Sequence, residues 1–414
     1  MTARRRMPGV ESATRPGHLR QVRTGNLRTL LRSVLDSPAS RAELAQRTGL
    51  TKATVASLAE PLLRQRILSE DALVNTGRGR PSRPLRFAAE APVAIGAEIN
   101  VCHLAVTVGR LDGSTVSDHR VYIENRCRGA EEIADRLAES IGDAIAEAGR
   151  PVLGIGLAVP GIVCEGTVVL APNVPGLAGI RIGDRLDAAL RRQGVEAGMI
   201  EVDNEANLAA LAHVWPHPLA GDDFVYVSGD VGIGAGIVLG GALFRGGSGF
   251  AGELGHVVIE RAGPACTCGG RGCVEQYAGL HTVFRAAGVP DLDALSHALE
   301  GGDAVARAAV NRAGSALGTA LRSLINVCDV ATVVLGGSYA ALFDDLAPGV
   351  QAELGTGVLA AARRPISLTV SPLGRDAVAR GAAALITHRC FVEPERLLHS
   401  GAYAEVVAEP SPSA

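Results

Sequence analysis

The sequence predicts an α/β protein in which a small winged helix-turn-helix head precedes a two-lobed α/β body. Three observations lead to this prediction. Two short helical patterns separated by a glycine turn lie within residues 40–64, inside a basic N-terminal segment. From Val93 onward, glycine-punctuated strands alternate with amphipathic helices in two successive series. One histidine and three cysteines then occur within eighteen positions, between His256 and Cys273.

Charge is distributed unevenly along the chain, although the net charge of its 414 residues is only −3. Residues 1–88 contain 17 basic and 6 acidic side chains, so this segment carries +11 and the remainder carries −14. A basic segment joined to an acidic body is typical of a polyanion-binding module attached to a soluble domain.

Neither export nor membrane insertion is predicted. Arg4, Arg5 and Arg6 are followed by polar residues where a signal peptide needs an apolar region, and no apolar run reaches the length of a membrane span. We therefore expect a cytoplasmic protein without membrane contacts. Five cysteines should stay reduced there as ordinary thiols: Cys102, Cys127, Cys164, Cys328 and Cys390.

The helix-turn-helix prediction rests on capping residues. Leucines at helical spacing predict a first helix over 25–36, and Ser40 with Glu43 forms a capping box that begins the second helix. Gly49 supplies the turn, and Thr51 caps a third helix. The inward-facing residues of that third helix should be Val55, Leu58 and Leu62.

The third helix would enter the major groove of DNA, although Pro61 should bend or end it. An ordinary helical hairpin is the alternative, but the coincidence of the motif with the +11 charge favours DNA binding. The candidate contacts to bases or phosphates on the second and third helices are Ser40, Arg41, Thr51, Lys52, Thr54 and Ser57.

Residues 73–87 predict a β-hairpin, the wing, with a tip rich in glycine and arginine. Its candidate DNA contacts are Arg78, Arg80 and Arg83, which glycines and prolines flank. Such a tip is suited to a narrow minor groove. Contacts of this kind mostly add sequence-independent affinity that falls with salt.

The histidine and cysteine cluster predicts a structural zinc site. Its ligands would be His256, Cys266, Cys268 and Cys273, one imidazole and three thiolates in a closed tetrahedral set. Nearby glycines allow the backbone to fold tightly. The alternative is a local disulfide with a spare thiol, although Cys266 and Cys268 are too close in sequence to bridge without strain. Glu253 and Glu275 lie beside the cluster as candidate acceptors for ligand hydroxyls.

The body consists of two successive series, each a pair of hairpin strands followed by helices and further strands. Strands are expected over 93–99, 101–108, 119–123, 152–161, within 223–244, over 331–337 and within 367–374, and helices over 130–148, 303–326 and 376–386. Such a repeat implies two α/β lobes with a ligand cleft between them.

The motifs along the chain resemble those of the ROK family (repressors, uncharacterised reading frames and sugar kinases), in the branch with an N-terminal winged helix. The resemblance covers roughly residues 20–390. The motifs that carry it are SRAELAQRTGLTKATV, GRGRP, GIGLAVPG, APNVPG, VDNEANLAAL, GIGAGI, GELGH with the cysteine knot, and VVLGGS. The resemblance implies an actin-like, two-lobed sugar-kinase body.

The resemblance also implies which residues hold a sugar. The positions that correspond to sugar-binding residues are Asn173, Asn204, Glu205, Glu253, His256 and Glu275. Amides and carboxylates suit a polyhydroxylated ring because each makes several directional hydrogen bonds. For Asn173 and Asn204, local capping or turn chemistry is the alternative.

The elements that handle ATP depart from the pattern of the family's kinases. Where those kinases have an acid followed by Gly-Gly-Thr, this chain has Glu98 followed by Asn100, Val101 and Cys102. In the second phosphate loop, Asp230 and Val231 replace a small residue and a hydroxyl. Glu205 stands at the position of the catalytic aspartate. The three departures together predict that no catalytic residue set remains and that kinase activity is lost.

These inferences predict a sugar-responsive DNA-binding regulator, a repressor of genes for carbohydrate uptake or catabolism, acting as a homodimer or higher homo-oligomer on operator DNA. The alternative functions are a sugar kinase with a DNA-binding head and a regulator whose body binds a protein partner.

The expected domain boundaries divide the chain into a disordered basic arm (1–19), the winged helix-turn-helix domain (20–88), the first lobe (89–203, closed by a helix near 376–390), the second lobe with the zinc loop (204–375) and a flexible tail (391–414).

Overall fold

A computed structural model describes residues 16–72 and 82–398. The chain forms two compact units: the N-terminal part up to Glu90 together with the segment from Arg389, and the segment Ala91–His388. Within the described ranges, every helix is too short or too polar to cross a lipid bilayer.

The first unit contains three helices and a two-stranded sheet. Its elements are α1 (Pro16–Asp36), α2 (Arg41–Thr48), α3 (Lys52–Arg64), β1 (Leu68–Glu70) and β2 (Leu85–Phe87). The expected caps are present: Ser40 and Glu43 form the reciprocal capping box, and Gly49 ends α2 in the left-handed conformation at φ +71°. The hydroxyl of Thr51 accepts a hydrogen bond from the Thr54 N–H at 3.1 Å. Local sequence therefore fixes both ends of the turn between α2 and α3.

The predicted start of the first helix is wrong, and of the two effects expected of Pro61 the end of the third helix is not observed. Helix α1 begins at Pro16, not at residue 25, so residues 16–19 of the expected disordered arm are helical; proline suits a first helical turn because its missing N–H has no partner there. Residues 1–15 lie outside the described residues. Helix α3 continues through Pro61 to Arg64. Proline removes only one hydrogen bond of the helix, and the buried Leu62 keeps the following turn packed.

A hydrophobic core holds the first unit together. Its fully buried side chains include Leu30, Leu31, Leu44, Val55, Leu62, Ile67 and Leu85, and the predicted inward-facing residues Val55, Leu58 and Leu62 are confirmed. Strands β1 and β2 pair antiparallel with Leu68 opposite Phe87, as a hairpin base requires. The tip between them, with Arg78 and Arg80, lies outside the described residues.

The prediction of a flexible tail is wrong for residues 391–398. They complete the last long helix and form a 3₁₀ helix, Pro394–Leu398. The ring of Phe391 lies 5.9 Å from that of Phe87, and Leu397 is fully buried. Apolar burial therefore anchors this segment to the first unit. Residues 399–414 lie outside the described residues.

The second unit begins with a five-stranded sheet in the order β5-β4-β3-β6-β9. Its elements are β3 (Val93–Ile99), β4 (His103–Gly109), β5 (Thr115–Tyr122), α4 (Ala130–Ala148), β6 (Val152–Val159), a hairpin of β7 (Ile162–Cys164) and β8 (Thr167–Leu170), α5 (Ile182–Arg192) and β9 (Met199–Asn204). Strands β3 and β6 are buried throughout, which explains their continuous apolar runs.

A second five-stranded sheet follows in the order β12-β11-β10-β13-β14. The segment that forms this sheet and its helices comprises α6 (Glu205–Ala212), β10 (Phe224–Gly229), β11 (Ile233–Leu239), β12 (Ala242–Leu243), α7 (Glu275–Ala278), α8 (Leu280–Ala287), α9 (Leu292–Glu300), α10 (Ala304–Cys328), β13 (Thr332–Gly337), α11 (Ser338–Ala341), α12 (Phe343–Gly357) and β14 (Ser367–Val370). Both sheets carry the same arrangement of an antiparallel hairpin beside parallel strands.

Helix α13 (Ala377–Val392) packs directly on the first sheet, and glycines permit the close approach. A Cβ at Gly96 would lie 1.9 Å from the Ala379 oxygen, and one at Gly156 would lie 1.9 Å from the Ala382 oxygen. The predicted fold class, a helical head with a two-lobed α/β body, is confirmed.

Candidate metal centre and adjoining cleft

Four side chains of the second lobe form a cluster that could bind a metal ion. The ligand atoms of His256, Cys266, Cys268 and Cys273 all lie within 4.8 Å of one another. The Sγ atoms of Cys268 and Cys273 are 3.7 Å apart, as are the Cys266 Sγ and the His256 Nδ1. Tetrahedral zinc, with bonds of about 2.3 Å to sulfur, needs sulfur atoms separated by about 3.8 Å. The donor set therefore fits four-coordinate zinc, and the alternative disulfide is not formed, since all eight cysteines are free.

Glycines shape the loop that carries the three sulfur atoms. Gly269 and Gly272 have φ values of +89° and +70°, which L side chains rarely adopt. A Cβ at Gly272 would also lie 1.6 Å from the oxygen of Glu260. The N–H of Cys266 donates to the Gly270 oxygen at 2.9 Å and closes the turn. The backbone thereby brings the thiols together.

A pocket of about 70 Å³ lies beside this cluster. All six side chains predicted to hold a sugar line it: Asn173, Asn204, Glu205, Glu253, His256 and Glu275. They come from four separate segments of the chain, since Asn204 is adjacent to Glu205 and one turn carries both Glu253 and His256. His256 links the pocket to the cluster, because its Nδ1 faces Cys266 and its Nε2 lies 4.0 Å from the Glu253 Oε2. Metal binding at Nδ1 would therefore fix the imidazole edge that faces the pocket.

Asn204 caps a helix, which is the alternative to a sugar-binding role that the sequence also allows. Its side-chain oxygen accepts hydrogen bonds from the N–H groups of Ala206 and Asn207, at 2.9 and 3.1 Å, and so caps α6. Its amide donates to the Gly161 oxygen at 3.0 Å and to the Glu205 Oε2 at 2.8 Å. These four bonds use its amide donors and both acceptor sites. In this conformation Asn204 orients Glu205.

The carboxyl group of Glu205 has an unusual environment. Burial raises its pKa to about 8, against the opposing effect of backbone hydrogen bonds that include one from the Gly161 N–H at 3.3 Å. The charges of Glu253 and Glu98 raise the pKa further. Near pH 7 the group is therefore mostly a neutral carboxyl, which donates as well as accepts hydrogen bonds.

A second cavity, of about 280 Å³, adjoins the pocket; we call it the interlobe cleft. Glu205 lines both cavities. The elements predicted to replace phosphate loops line the cleft through Glu98, Asn100, Cys102, Asp230 and Val231.

Asn100 occupies the turn that follows β3. Its amide donates to the Glu98 Oε1 at 3.3 Å, and its oxygen accepts from the Cys102 N–H at 3.1 Å. Val101, predicted to obstruct the same turn, is instead 3 % exposed and belongs to the core of the first lobe. Of these two residues, Asn100 lines the cleft.

Asp230 places a carboxylate in the second phosphate loop. Its Oδ1 accepts a hydrogen bond from the Ser338 hydroxyl at 2.6 Å. The carboxylate reaches solvent through the cleft, but surrounding protein atoms partly desolvate it and raise its pKa.

The predicted DNA contacts of the head differ in their availability. Ser40 is only 6 % exposed, and its hydroxyl lies 2.8 Å from the Glu43 Oε2 within the capping box, which leaves that hydroxyl little access to DNA. Arg41 pairs with Glu70 at 2.6 Å, and Arg83 lies 3.8 Å from the same carboxylate.

Lys52 and Ser57 are exposed on α3. The hydroxyls of Thr51 and Thr54 lie 2.9 Å apart at its N-terminus. This end of α3 thus presents an ammonium group and hydroxyls together, the donors that phosphates and base edges accept.

One family model and several known proteins match the chain. The model of the ROK family matches residues 94–389. The chain belongs to the ROK family. It is 29 % identical to the xylose repressor of Bacillus subtilis (strain 168), over 88 % of this chain and 95 % of that protein.

The same ROK body is also similar to an enzyme. The glucokinase of Thermotoga maritima is 29 % identical over 63 % of this chain and 87 % of its own length. Among solved structures, a ROK family transcriptional regulator homologous to the E. coli MLC protein superposes with a TM-score of 0.75 at 22 % identity, covering 91 % of this chain and 99 % of that chain. That likeness concerns the fold.

Several residues of the two cavities were missed from the sequence. Thr267 lines the pocket, and its place between Cys266 and Cys268 was the signal that could have found it. His103, Tyr122 and Phe284 line the cleft. None of the motifs quoted from the sequence includes them, and Phe284 lies far along the chain from the paired strands that carry His103 and Tyr122.

Proposed function

We propose that this ROK protein is a sugar-responsive transcriptional regulator of carbohydrate uptake or catabolism genes. The observation that carries the proposal is the pocket lined by six polar side chains in a chain that also has a helix-turn-helix head. The similarity to a protein named xylose repressor supports it, because the matched region spans 88 % of this chain. The head would bind operator DNA, and the body a monosaccharide or derivative.

The pocket would hold the sugar through Asn173, Glu205, Glu253, His256 and Glu275. Carboxyl groups and an imidazole can each accept or donate hydrogen bonds to ring hydroxyls. Zinc bound to the cluster would hold the segment that carries Glu253, His256 and Glu275, a structural role. It would supply rigidity at the pocket wall and no reactive group.

Loss of kinase activity belongs to the same proposal. Asn100 and Cys102 stand where the family's kinases have glycine and threonine, and Asp230 adds a negative charge where phosphates would lie. Like charges close together in a partly desolvated cleft repel by several kcal/mol. The alternative is a sugar kinase with a DNA-binding head, which the similarity to a glucokinase favours.

The proposal includes a cytoplasmic homodimer acting as a repressor. Helix-turn-helix domains bind two half-sites one helical turn apart, which a symmetric dimer matches. Sugar binding would lower DNA affinity by favouring a conformation in which the two heads no longer match those half-sites.

The test uses the purified full-length protein. A duplex selected from a random library should bind tightly, and a sugar from a panel of pentoses, hexoses and N-acetylhexosamines should weaken that binding at least tenfold. ATP consumption with the same panel should stay at the level of a protein-free blank. Turnover at ordinary kinase rates, a few per second or more, would establish the alternative instead.

A further inference from the structure

The interlobe cleft adjoins the candidate sugar pocket. Glu205 lines both cavities, and the cleft is about 280 Å³ against about 70 Å³ for the pocket. A ligand whose first ring lies in the pocket therefore has a larger space directly beyond Glu205. The residues that line this space determine which ligand groups it can bind.

Glu98 supplies an unsatisfied acceptor in the cleft. Its side chain is only 3 % exposed and lines the cavity. Its Oε1 lies 3.3 Å from both the Asn100 amide and the His103 Nε2. Its Oε2 is buried and has no hydrogen-bond donor among residues 16–72 and 82–398. A buried acceptor without a donor is unfavourable, so a ligand that brings a hydroxyl group gains a strong partner here.

The carboxyl groups of Glu98, Glu205 and Asp230 line one part of the cleft and disfavour a phosphate beside Glu98. The negative charge of Glu98 raises the pKa of both Glu205 and Asp230, which means that the three carboxyls share one electrostatic environment. Two guanidinium groups also line the cleft, that of Arg120, which is 3.3 Å from the Asp376 carboxylate, and that of Arg375. A phosphate oxygen cannot donate to these acids, whereas a neutral hydroxyl can.

Aromatic side chains line the wider part of the cleft. Tyr122, at the end of β5, is 72 % exposed, and its ring stands edge-on to that of His103 with centroids 6.3 Å apart. Phe284 on α8 is half-buried. A cavity with aromatic walls and a few placed polar groups is typical of a site for an uncharged organic ligand.

We propose that the interlobe cleft binds the second ring of a neutral disaccharide whose first ring occupies the pocket. The inference rests on the proposed function and specifies its effector. Glu98 accepts a hydroxyl hydrogen bond from the second ring, and Tyr122 and Phe284 contact its apolar face. The space that ATP takes in the family's kinases is thereby a sugar subsite in this chain.

Isothermal titration of the full-length protein tests this inference. The probes are D-xylose and D-glucose, the disaccharides xylobiose, cellobiose and maltose, glucose 6-phosphate, and Mg-ATP. We expect at least one disaccharide to bind tenfold or more tightly than its own monosaccharide. Tyr122→Ala should remove that gain and leave monosaccharide affinity within about twofold, since Tyr122 is exposed and its loss does not disturb a core.

Two further variants keep the test interpretable. Phe284→Ala should repeat the effect of Tyr122→Ala, and Arg285→Ala, its exposed neighbour outside the cleft, should bind both ligand classes like the wild type. Monosaccharide binding without any gain for a disaccharide overturns the inference and leaves the proposed function standing. Tightest binding of glucose 6-phosphate or Mg-ATP also overturns it. Absence of binding by every sugar overturns the proposed function as well.

Discussion

Glu205 is the residue whose surroundings change its chemistry most. Its pKa is raised to about 8, chiefly by burial, whereas in the unfolded chain it titrates near 4.5. The folded state therefore binds the proton more tightly, and stability falls as pH rises from about 4.5 to 8. Between pH 6 and 8 the loss in the free energy of unfolding should be about 2 kcal/mol.

Glu205→Gln isolates this contribution, because glutamine keeps an oxygen that can accept from Gly161 and Asn204 but does not titrate. Urea unfolding at pH 6, 7 and 8 should show a falling midpoint in the wild type and a flatter profile in the variant. Parallel profiles for the two proteins would mean that Glu205 titrates normally.

Cys268 is the exposed member of the metal cluster, and its replacement tests the ligand set. Cys268→Ser should lower bound zinc from about one ion per chain to near zero after dialysis, because serine is a poor zinc ligand. Cys127→Ser, which removes an exposed thiol outside the cluster, is the matched control and should keep its metal. Unchanged zinc content in the Cys268 variant, measured by atomic absorption, would contradict the assignment.

At the scale of elements, α3 is proposed to meet DNA with its N-terminal end. Lys52 and Arg64 are exposed basic residues at opposite ends of this helix, so replacing each by alanine removes one positive charge from a different place. Lys52→Ala should weaken binding to a random-sequence 30-base-pair duplex about fivefold and reduce the salt slope by about one.

Arg64→Ala should have less than a twofold effect in the same fluorescence anisotropy titration. Equal losses in the two variants would indicate that net charge, and not the end of α3, determines DNA affinity.

Local signals explain which elements the sequence could predict. Helix α4 spans the predicted residues 130–148, because an amphipathic pattern lies between two glycines. The ends of α2 and α3 follow from capping chemistry that acts within four residues. Pro61 does not end α3, and the buried Leu62 packs the turn that follows it, a tertiary contact that local propensity does not record.

The candidate site was predictable only in part, for a reason of distance along the chain. The spacing of the four metal-cluster residues is local, so the sequence revealed it. The pocket residues, from Asn173 to Glu275, were assigned through family resemblance, and the structure brings them to one pocket. Tyr122 and Phe284 meet at the cleft only after both lobes have folded, and no short-range pattern records that.

At the scale of the whole molecule, the proposed function requires free-energy coupling between sugar and DNA. Glu253 lines the pocket and belongs to the body, whereas the proposed DNA contacts belong to the head. Glu253→Ala should therefore leave DNA affinity within about twofold in the absence of sugar and abolish the response to it. A normal sugar response would exclude Glu253 from the effector site.

Coupling between two binding sites is reciprocal, which gives a stricter test than the loss of a response. If saturating sugar weakens DNA binding by a factor of ten, saturating DNA must weaken sugar binding by the same factor, about 1.4 kcal/mol. Anisotropy with labelled duplex and calorimetry with sugar measure the two factors independently on the same preparation. Agreement within about twofold is expected. A clear inequality would mean that the sugar acts by another route, such as dissociation of the oligomer or competition for the head, and the proposed coupling through one conformational equilibrium would then fail.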